Sequence, residues 1–301
     1  MANKWPDGLP LARWRQTHDT LHMWLQIVGK TRLALAPSEN HWWHTALYVS
    51  ARGLTTTPIP YGSRLFEVEL DFLDHRLTIE TSNGSTRTLA LRAQAVAEFY
   101  REYMDALAAL GITVKLWPVP VEVEGPIPFA DDRAHAAYDA AHARHFFEML
   151  LQADRVTKRF KGRFLGKSSP VHFFWGAFDL ALTRFSGRRA PEEPRSPMMR
   201  EAMSHEEISV GFWPGSGAVA EPAFYAYARP EPRDLAGASI EPAAARYSPE
   251  LADFILPYEA VRASARPDDA VLDFYQSVYA AAADLARWDR AALDRPPGEW
   301  S

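Results

Sequence analysis

The residues best suited to chemistry gather in the second half of this sequence. His172 and His205 are imidazoles that exchange protons near neutral pH, while Glu206 and Asp179 are carboxylates that can orient an imidazole or act as acid or base themselves. Arg184 offers a permanent planar cation for an anionic group, and Trp175, Trp213 and Tyr225 offer aromatic walls. From the first half, Arg52, Tyr48 and His44 join them as candidate ligand contacts on a stretch whose alternation reads as a strand. If residues 171–185 form one unbroken strand, period-2 alternation puts His172 and Arg184 on one face and Asp179 and Thr183 on the other. The bland reading stays open beside this one. Each histidine can be a buried, hydrogen-bonded structural residue, and Arg52 can be consumed by cross-strand ion pairs with Glu67, Glu69 and Asp71.

Other chemistries fail on spacing. There is no cysteine, which removes disulfides, thiolate metal sites and cysteine nucleophiles together. Gly29-Lys30-Thr31 ends like a phosphate-binding loop, but Trp24 stands where that loop needs glycine. No Gly-x-Ser-x-Gly elbow and no His-Glu-x-x-His pair occurs, and Gly211-Phe-Trp-Pro-Gly-Ser-Gly217 reads as a plain turn. Asp139, His142, His145 and Glu148 recur every third residue, as a solvated helix face does, so no metal ligand is assigned. A centre built from His172, His205 and a carboxylate is kept as an alternative, and no cofactor is assigned. With 33 Lys and Arg against 38 Asp and Glu the net charge is -5, so no basic field favours nucleic acid or anionic lipid. No apolar run approaches the roughly 20 residues of a spanning helix. The expected location is the cytoplasm, with no membrane and no nucleic-acid partner.

These side chains must be held by recognisable elements. Leu21, Trp24, Leu25 and Val28 recur at helical spacing within residues 17–35, with Thr17 or Asp19 available as a cap. Strand alternation follows at 44–54, 66–72, 76–81 and 86–92, the last two joined by the hairpin sequence Ser82-Asn-Gly-Ser85. A helix at 96–110 ends before Gly111, and a bridge carrying Pro118, Pro120, Pro126 and Pro128 comes next. The pattern then restarts, with a helix at 145–164, a long apolar strand or a bent pair of strands at 171–185, strands at 208–213, 223–228 and 254–261, and a helix at 269–288. Residues 96–110 align without gaps to 271–285, sharing Val, Phe-Tyr, two Ala and the closing Leu. The expected fold is α+β, with two pseudo-repeated helix–antiparallel sheet–helix halves at 1–130 and 131–301 forming one compact unit. Helices pack on one face of the sheets, and long Pro-rich loops interrupt the second half. In such a duplication Arg52 and Arg184 are equivalent, and suit a carboxylate or phosphate.

Thr20-Leu-His-Met-Trp24 through Ile27-Val-Gly-Lys30, Asn40-His-Trp-Trp-His44 with Tyr48, Ala51-Arg-Gly-Leu-Thr-Thr56 and Ile59-Pro-Tyr-Gly62 form a distinctive set. Asp71-Phe-Leu-Asp-His75, Ser169-Pro-Val-His-Phe-Phe-Trp-Gly176, Phe178-Asp-Leu180 and Thr183-Arg-Phe-Ser-Gly-Arg188 continue it. Ser204-His-Glu206, Gly211-Phe-Trp-Pro-Gly215 and Pro222-Ala-Phe-Tyr225 complete it. Together they resemble, over nearly the whole chain, an uncharacterised bacterial family of about this length known only as a domain of unknown function. That resemblance implies no reaction, cofactor or partner. The residues themselves point to an enzyme performing acid–base chemistry on a small anionic or aromatic molecule. Its alternatives are a non-catalytic small-molecule binding or sensor protein and a metal-dependent enzyme.

Overall fold

The first helix, α1 (Leu11–Leu35), is longer than its sequence pattern, beginning after Pro10 rather than at Thr17 or Asp19. It belongs to a computed structural model that describes residues 5–192, 196–215 and 219–296. Residues 193–195 and 216–218, the latter within the glycine-rich segment read as a turn, lie outside the described residues. Two faces of α1 are buried. Leu21, Trp24, Leu25 and Val28 enter the core, while His18, His22, Gln26 and Lys30, four residues apart, form a second and polar stripe. The Pro-rich bridge covers that stripe and takes its hydrogen bonds from it. Gln26 Nε2 donates to the Val121 carbonyl at 2.7 Å, Val121 N–H donates to Gln26 Oε1 at 2.8 Å, and Lys30 Nζ donates to the Val119 carbonyl at 2.9 Å.

The first sheet is wholly antiparallel. It comprises β1 (Tyr48–Val49), β2 (Gly53–Thr55), β3 (Ile59–Tyr61), β4 (Arg64–Asp71), β5 (Arg76–Thr81) and β6 (Thr86–Ala90), in the order β1-β2-β4-β5-β6 with β3 also on β4. Phe66, Val68 and Leu70 point inward and Glu67 and Glu69 outward, as their alternation requires. The stretch 44–54 is not one strand. His44 and Thr45 lie in a 3-10 segment, Asn40–Thr45, and a turn after Val49 is closed by Ser50 Oγ, which accepts from Arg52 N–H and Gly53 N–H. In the 82–85 turn Gly84, with φ 84°, supplies the left-handed residue.

After α2 (Val96–Ala109), closed by Gly111 at φ 70°, and α3 (Ala140–Lys161) comes the second sheet. Its elements are β7 (His172–Phe174), β8 (Asp179–Arg189), β9 (His205–Trp213), β10 (Ala223–Arg229), β11 (Arg246–Ser248) and β12 (Asp253–Pro257), with the short α4 (Pro197–Ala202) between β8 and β9. The order is β11-β12-β10-β9-β8-β7, again antiparallel throughout. The expected strand at 254–261 stops at Pro257, and Tyr258 starts α5 (Tyr258–Ala263), followed by α6 (Pro267–Leu285) and α7 (Arg290–Leu293). The chain is therefore α+β, with a six-stranded sheet in each half. The sheets meet edge to edge, where Leu47 and Phe173 exchange backbone hydrogen bonds of 2.9 and 2.8 Å. One apolar core, running from Trp5 to Trp288, takes side chains from both halves.

Candidate functional site

The stretch 171–185 folds as two strands rather than one, and this decides the site. A turn at 175–178, with Phe178 at φ 60°, places His172 opposite Ala181 and Phe174 opposite Asp179. The hairpin inverts the alternation, so His172, Asp179 and Thr183 share the sheet face turned away from α3 and α6. Arg184 goes to the opposite face. The register carries the shared face onward through Ser209, Gly211, Tyr225 and Tyr227, with Glu207 opposite Arg229 at one end and Trp213 opposite Ala223 at the other. Along this outer face the structure assembles Asp179, His172, His205, Trp213 and Tyr225 from sequence-distant segments.

Asp179 is the most perturbed acid on it. Tyr225, on β10, reaches over β9 to donate its phenolic hydrogen bond to the Asp179 carboxylate on β8. That path exists because position 211 is glycine: a Cβ there would stand 2.4 Å from the Tyr225 hydroxyl and 2.1 Å from the Leu180 carbonyl oxygen. Gly211 is a mid-strand residue, so the turn reading fails for Gly211 to Trp213, which belong to β9. Burial pushes Asp179 up to about 7, against the Tyr225 hydrogen bond and with help from the nearby charge of Glu122. Glu122, at φ 57°, sits on the bridge clamped by Gln26, with its carboxylate against Gly176, and desolvation raises its pKa also. Burial and Asp179 lift the Tyr225 phenol well above its ordinary value, so it remains a donor at physiological pH. Beside this pair, Thr183 and Ser209 hydroxyls are bonded at 2.7 Å, and Tyr227 stacks on Tyr225 at 6.1 Å.

The histidines lie farther along, connected among the described residues only through the rings of Trp43 and His41. His172 is 1% exposed and both its nitrogens lack a hydrogen-bond partner. Burial, then the Arg32 and Lys161 charges, push it down to about 3, so it is a neutral imidazole among the rings of Trp43, Tyr48 and Phe174 at 5.7, 5.4 and 5.4 Å. His205 is half-buried and touches His41 ring to ring at 5.4 Å, with its Nδ1 3.0 Å from Ser204 Oγ. His41 is fixed by donating to the Ala202 carbonyl at 2.8 Å and accepting from Lys167 Nζ at 2.9 Å. An imidazole held near 3 takes up no proton around neutral pH, so His172 is corrected from catalytic group to buried neighbour.

Six other expectations are redirected. Glu206 faces the helix side, paired with Arg188 at 2.6 Å, because it alternates with His205 on β9. Arg184 is sandwiched among Phe160, Phe164 and Tyr279, its guanidinium carbon 3.5, 4.8 and 4.5 Å from the ring centres, and donates to the Phe160 carbonyl. Burial pushes it down to about 9, and it reaches no ligand surface. Arg52 occupies the β1–β2 turn and is paired with Asp71 at 2.6 Å and Asp74 at 2.7 Å, so it is not the counterpart of mid-strand Arg184. Trp175 turns toward α1, donating to the Thr45 carbonyl at 2.7 Å and lying against Gly29, where a Cβ would be 2.2 Å from its ring. His44 accepts Arg32 Nε at its carbonyl, and Tyr48 lies under the same guanidinium at 5.2 Å.

Sequence reasoning missed Glu122 and the stripe that positions it. The signal was present in the i, i+4 recurrence of His18, His22, Gln26 and Lys30, four polar residues on a helix already rich in apolar ones. Burial pushes His22 down to about 4, its Nε2 lying 2.9 Å from the Trp175 and Gly176 carbonyls, and pushes Lys30 down to about 8. Among the described residues no three histidine, aspartate or glutamate side chains gather as metal ligands, and no helix is long and apolar enough to cross a membrane.

The fold and site define an α+β protein of two edge-joined antiparallel sheets with a polar face on the second. The chain belongs to the family of unknown function DUF5996, whose model matches residues 5–295. No curated protein and no solved structure matches it.

Proposed function

We propose that the chain is an enzyme that moves a proton to or from a small molecule lying on the outer face of the second sheet. Asp179 is the proton carrier and Tyr225 the group that holds it. One observation carries this reading: a carboxyl sunk in the sheet, bonded by a phenol from two strands away across a glycine, and set beside a second carboxylate. Such a carboxyl is half protonated near neutral pH, the condition under which one group serves equally as acid and base. Tyr225 donates to one carboxyl oxygen, leaving the other to carry the transferred proton. Trp213 and Tyr227, both half-buried, flank the pair and favour an aromatic ligand.

The test is an incubation of wild-type protein, Asp179→Asn and Tyr225→Phe with a small-molecule extract, followed by mass spectrometry. Wild type should convert some species, Asp179→Asn should bind but not convert them, and Tyr225→Phe should slow conversion. Conversion by Asp179→Asn at the wild-type rate overturns the assignment. The burial of His172 as a neutral imidazole favours a second reading, a non-catalytic binding protein, in which no species is converted and one is retained in native mass spectra.

A further inference from the structure

We infer that the molecule taken by the outer face is a small organic cation, an amine with an aromatic ring bound as its ammonium ion, drawn by the Asp179 and Glu122 carboxylates and the Tyr225 ring. This rests on the reaction proposed above for that face and names the class of its substrate. Asp179 keeps 8% of its surface exposed, and its carboxylate is bonded by Tyr225, a neutral phenol. Glu122 is exposed, with its carboxylate against Gly176, and makes no side-chain hydrogen bond or ion pair among the described residues. Glu122 acts on Asp179 as a like charge, and among the described residues no lysine or arginine acts on either. Cations on neighbouring elements are engaged elsewhere. Lys30 donates to the Val119 carbonyl and lies 5.8 Å from both the Phe129 and Trp175 rings, and Arg184 of β8 is packed on Phe160 on the opposite face.

The same sheet shows what a tyrosine ring beside a carboxylate accepts. Two residues along β10 from Tyr225, Tyr227 carries the Arg229 guanidinium 4.5 Å from its ring centre, and Asp253 pairs with that guanidinium at 3.2 Å. Tyr225 and Asp179 repeat the ring and the carboxylate with no cation of the described residues upon them. The Tyr225 and Tyr227 rings lie 6.1 Å apart and within 10° of parallel, so the two pairs form one row. Aromatic faces attract cations, and a carboxylate withdrawn from water gains most from an opposite charge. An anionic molecule would instead meet two groups of its own sign. A cation beside Asp179 favours the ionised carboxylate, so binding should expel the proton that the buried group holds. With Asp179 pushed up to about 7, close to half of the molecules hold that proton at pH 7. The charge of the substrate thereby puts Asp179 in its basic form when the substrate is bound.

The test is isothermal titration of the full chain at pH 7 with benzylammonium and with phenylacetate, in two buffers of different ionisation enthalpy. Benzylammonium should bind one-to-one, at least about tenfold tighter than phenylacetate, with release of about half a proton per site. Glu122→Gln, at an exposed position, should keep wild-type circular dichroism and weaken benzylammonium about tenfold. Asp179→Asn should still bind it, also about tenfold more weakly, and release no proton. Glu80→Gln, at an exposed carboxylate on β5, should bind as wild type does. Phenylacetate binding as tightly as benzylammonium overturns the inference, as does no binding by either below about 10 mM. So does undiminished binding by Glu122→Gln and Asp179→Asn together, or an equal loss in Glu80→Gln. The two proposals fail separately. Proton-coupled benzylammonium binding by a protein whose conversions survive Asp179→Asn upholds the cation and removes the reaction, whereas preference for phenylacetate with conversion lost in Asp179→Asn does the reverse.

Discussion

Replacing Asp179 by Asn keeps the shape of the side chain and removes its ionisation. The native carboxyl has a pKa raised from 3.8 to about 7, so between those values the unfolded chain is ionised while the folded chain retains its proton. The folded state then binds more protons, and stability from this group falls as pH rises through that window. Below pH 4 both states are protonated and the penalty vanishes; above pH 7 it is constant. The shift of about 3 units corresponds to about 4 kcal/mol. Asp179→Asn carries no such penalty, and its amide oxygen can still accept from Tyr225. Urea unfolding followed by tryptophan fluorescence should show the variant gaining on wild type by about 4 kcal/mol from pH 4 to pH 8. Glu122→Gln should shrink that gain, because it removes the neighbouring charge that disfavours ionisation. A difference that stays flat with pH refutes the assignment of a strained acid at this position. A gain in stability accompanied by lost conversion is the pattern expected where function is built on a destabilising group.

Other perturbations test the frame. His172→Phe removes an imidazole whose folded pKa is depressed from 6.5 to about 3, so wild type alone is destabilised as pH falls below 6.5. The variant should gain about 3 kcal/mol on wild type by pH 4 in the same unfolding assay. Gly29→Ala improves helix propensity by about 1 kcal/mol, yet its Cβ would lie 2.2 Å from the Trp175 ring. The clash should prevail, lowering stability by about 1–3 kcal/mol and the melting temperature with it. Arg184→Met should be tolerated far better than Arg184→Ala, which opens a cavity among Phe160, Phe164 and Tyr279 and should cost about 3 kcal/mol by urea unfolding.

Much of the fold was legible because helix and strand periods are local. The apolar stripe of α1, the alternation of β4 and Gly111 at the end of α2 all stand where their spacing puts them. Boundaries were less legible. Pro10 rather than Thr17 precedes α1, and the stretch 44–54 breaks because a serine hydroxyl closes a turn that period counting does not register. At the site, Asp179, Tyr225 and Trp213 were visible by residue type, whereas Glu122 was not, since its place depends on a bridge gripped by helix side chains 95 residues away.

By itself the sequence determined the α+β class, the order of elements and which side chains were able to do chemistry, because these follow from composition and short-range periodicity. Tertiary structure alone decided which of those side chains meet. A four-residue turn between β7 and β8 exchanges the faces of Arg184 and Asp179, and strand register then lays Tyr225 over Gly211 onto a carboxylate 46 residues earlier. Face and register are set by backbone pairing between distant segments, and no local pattern encodes that pairing.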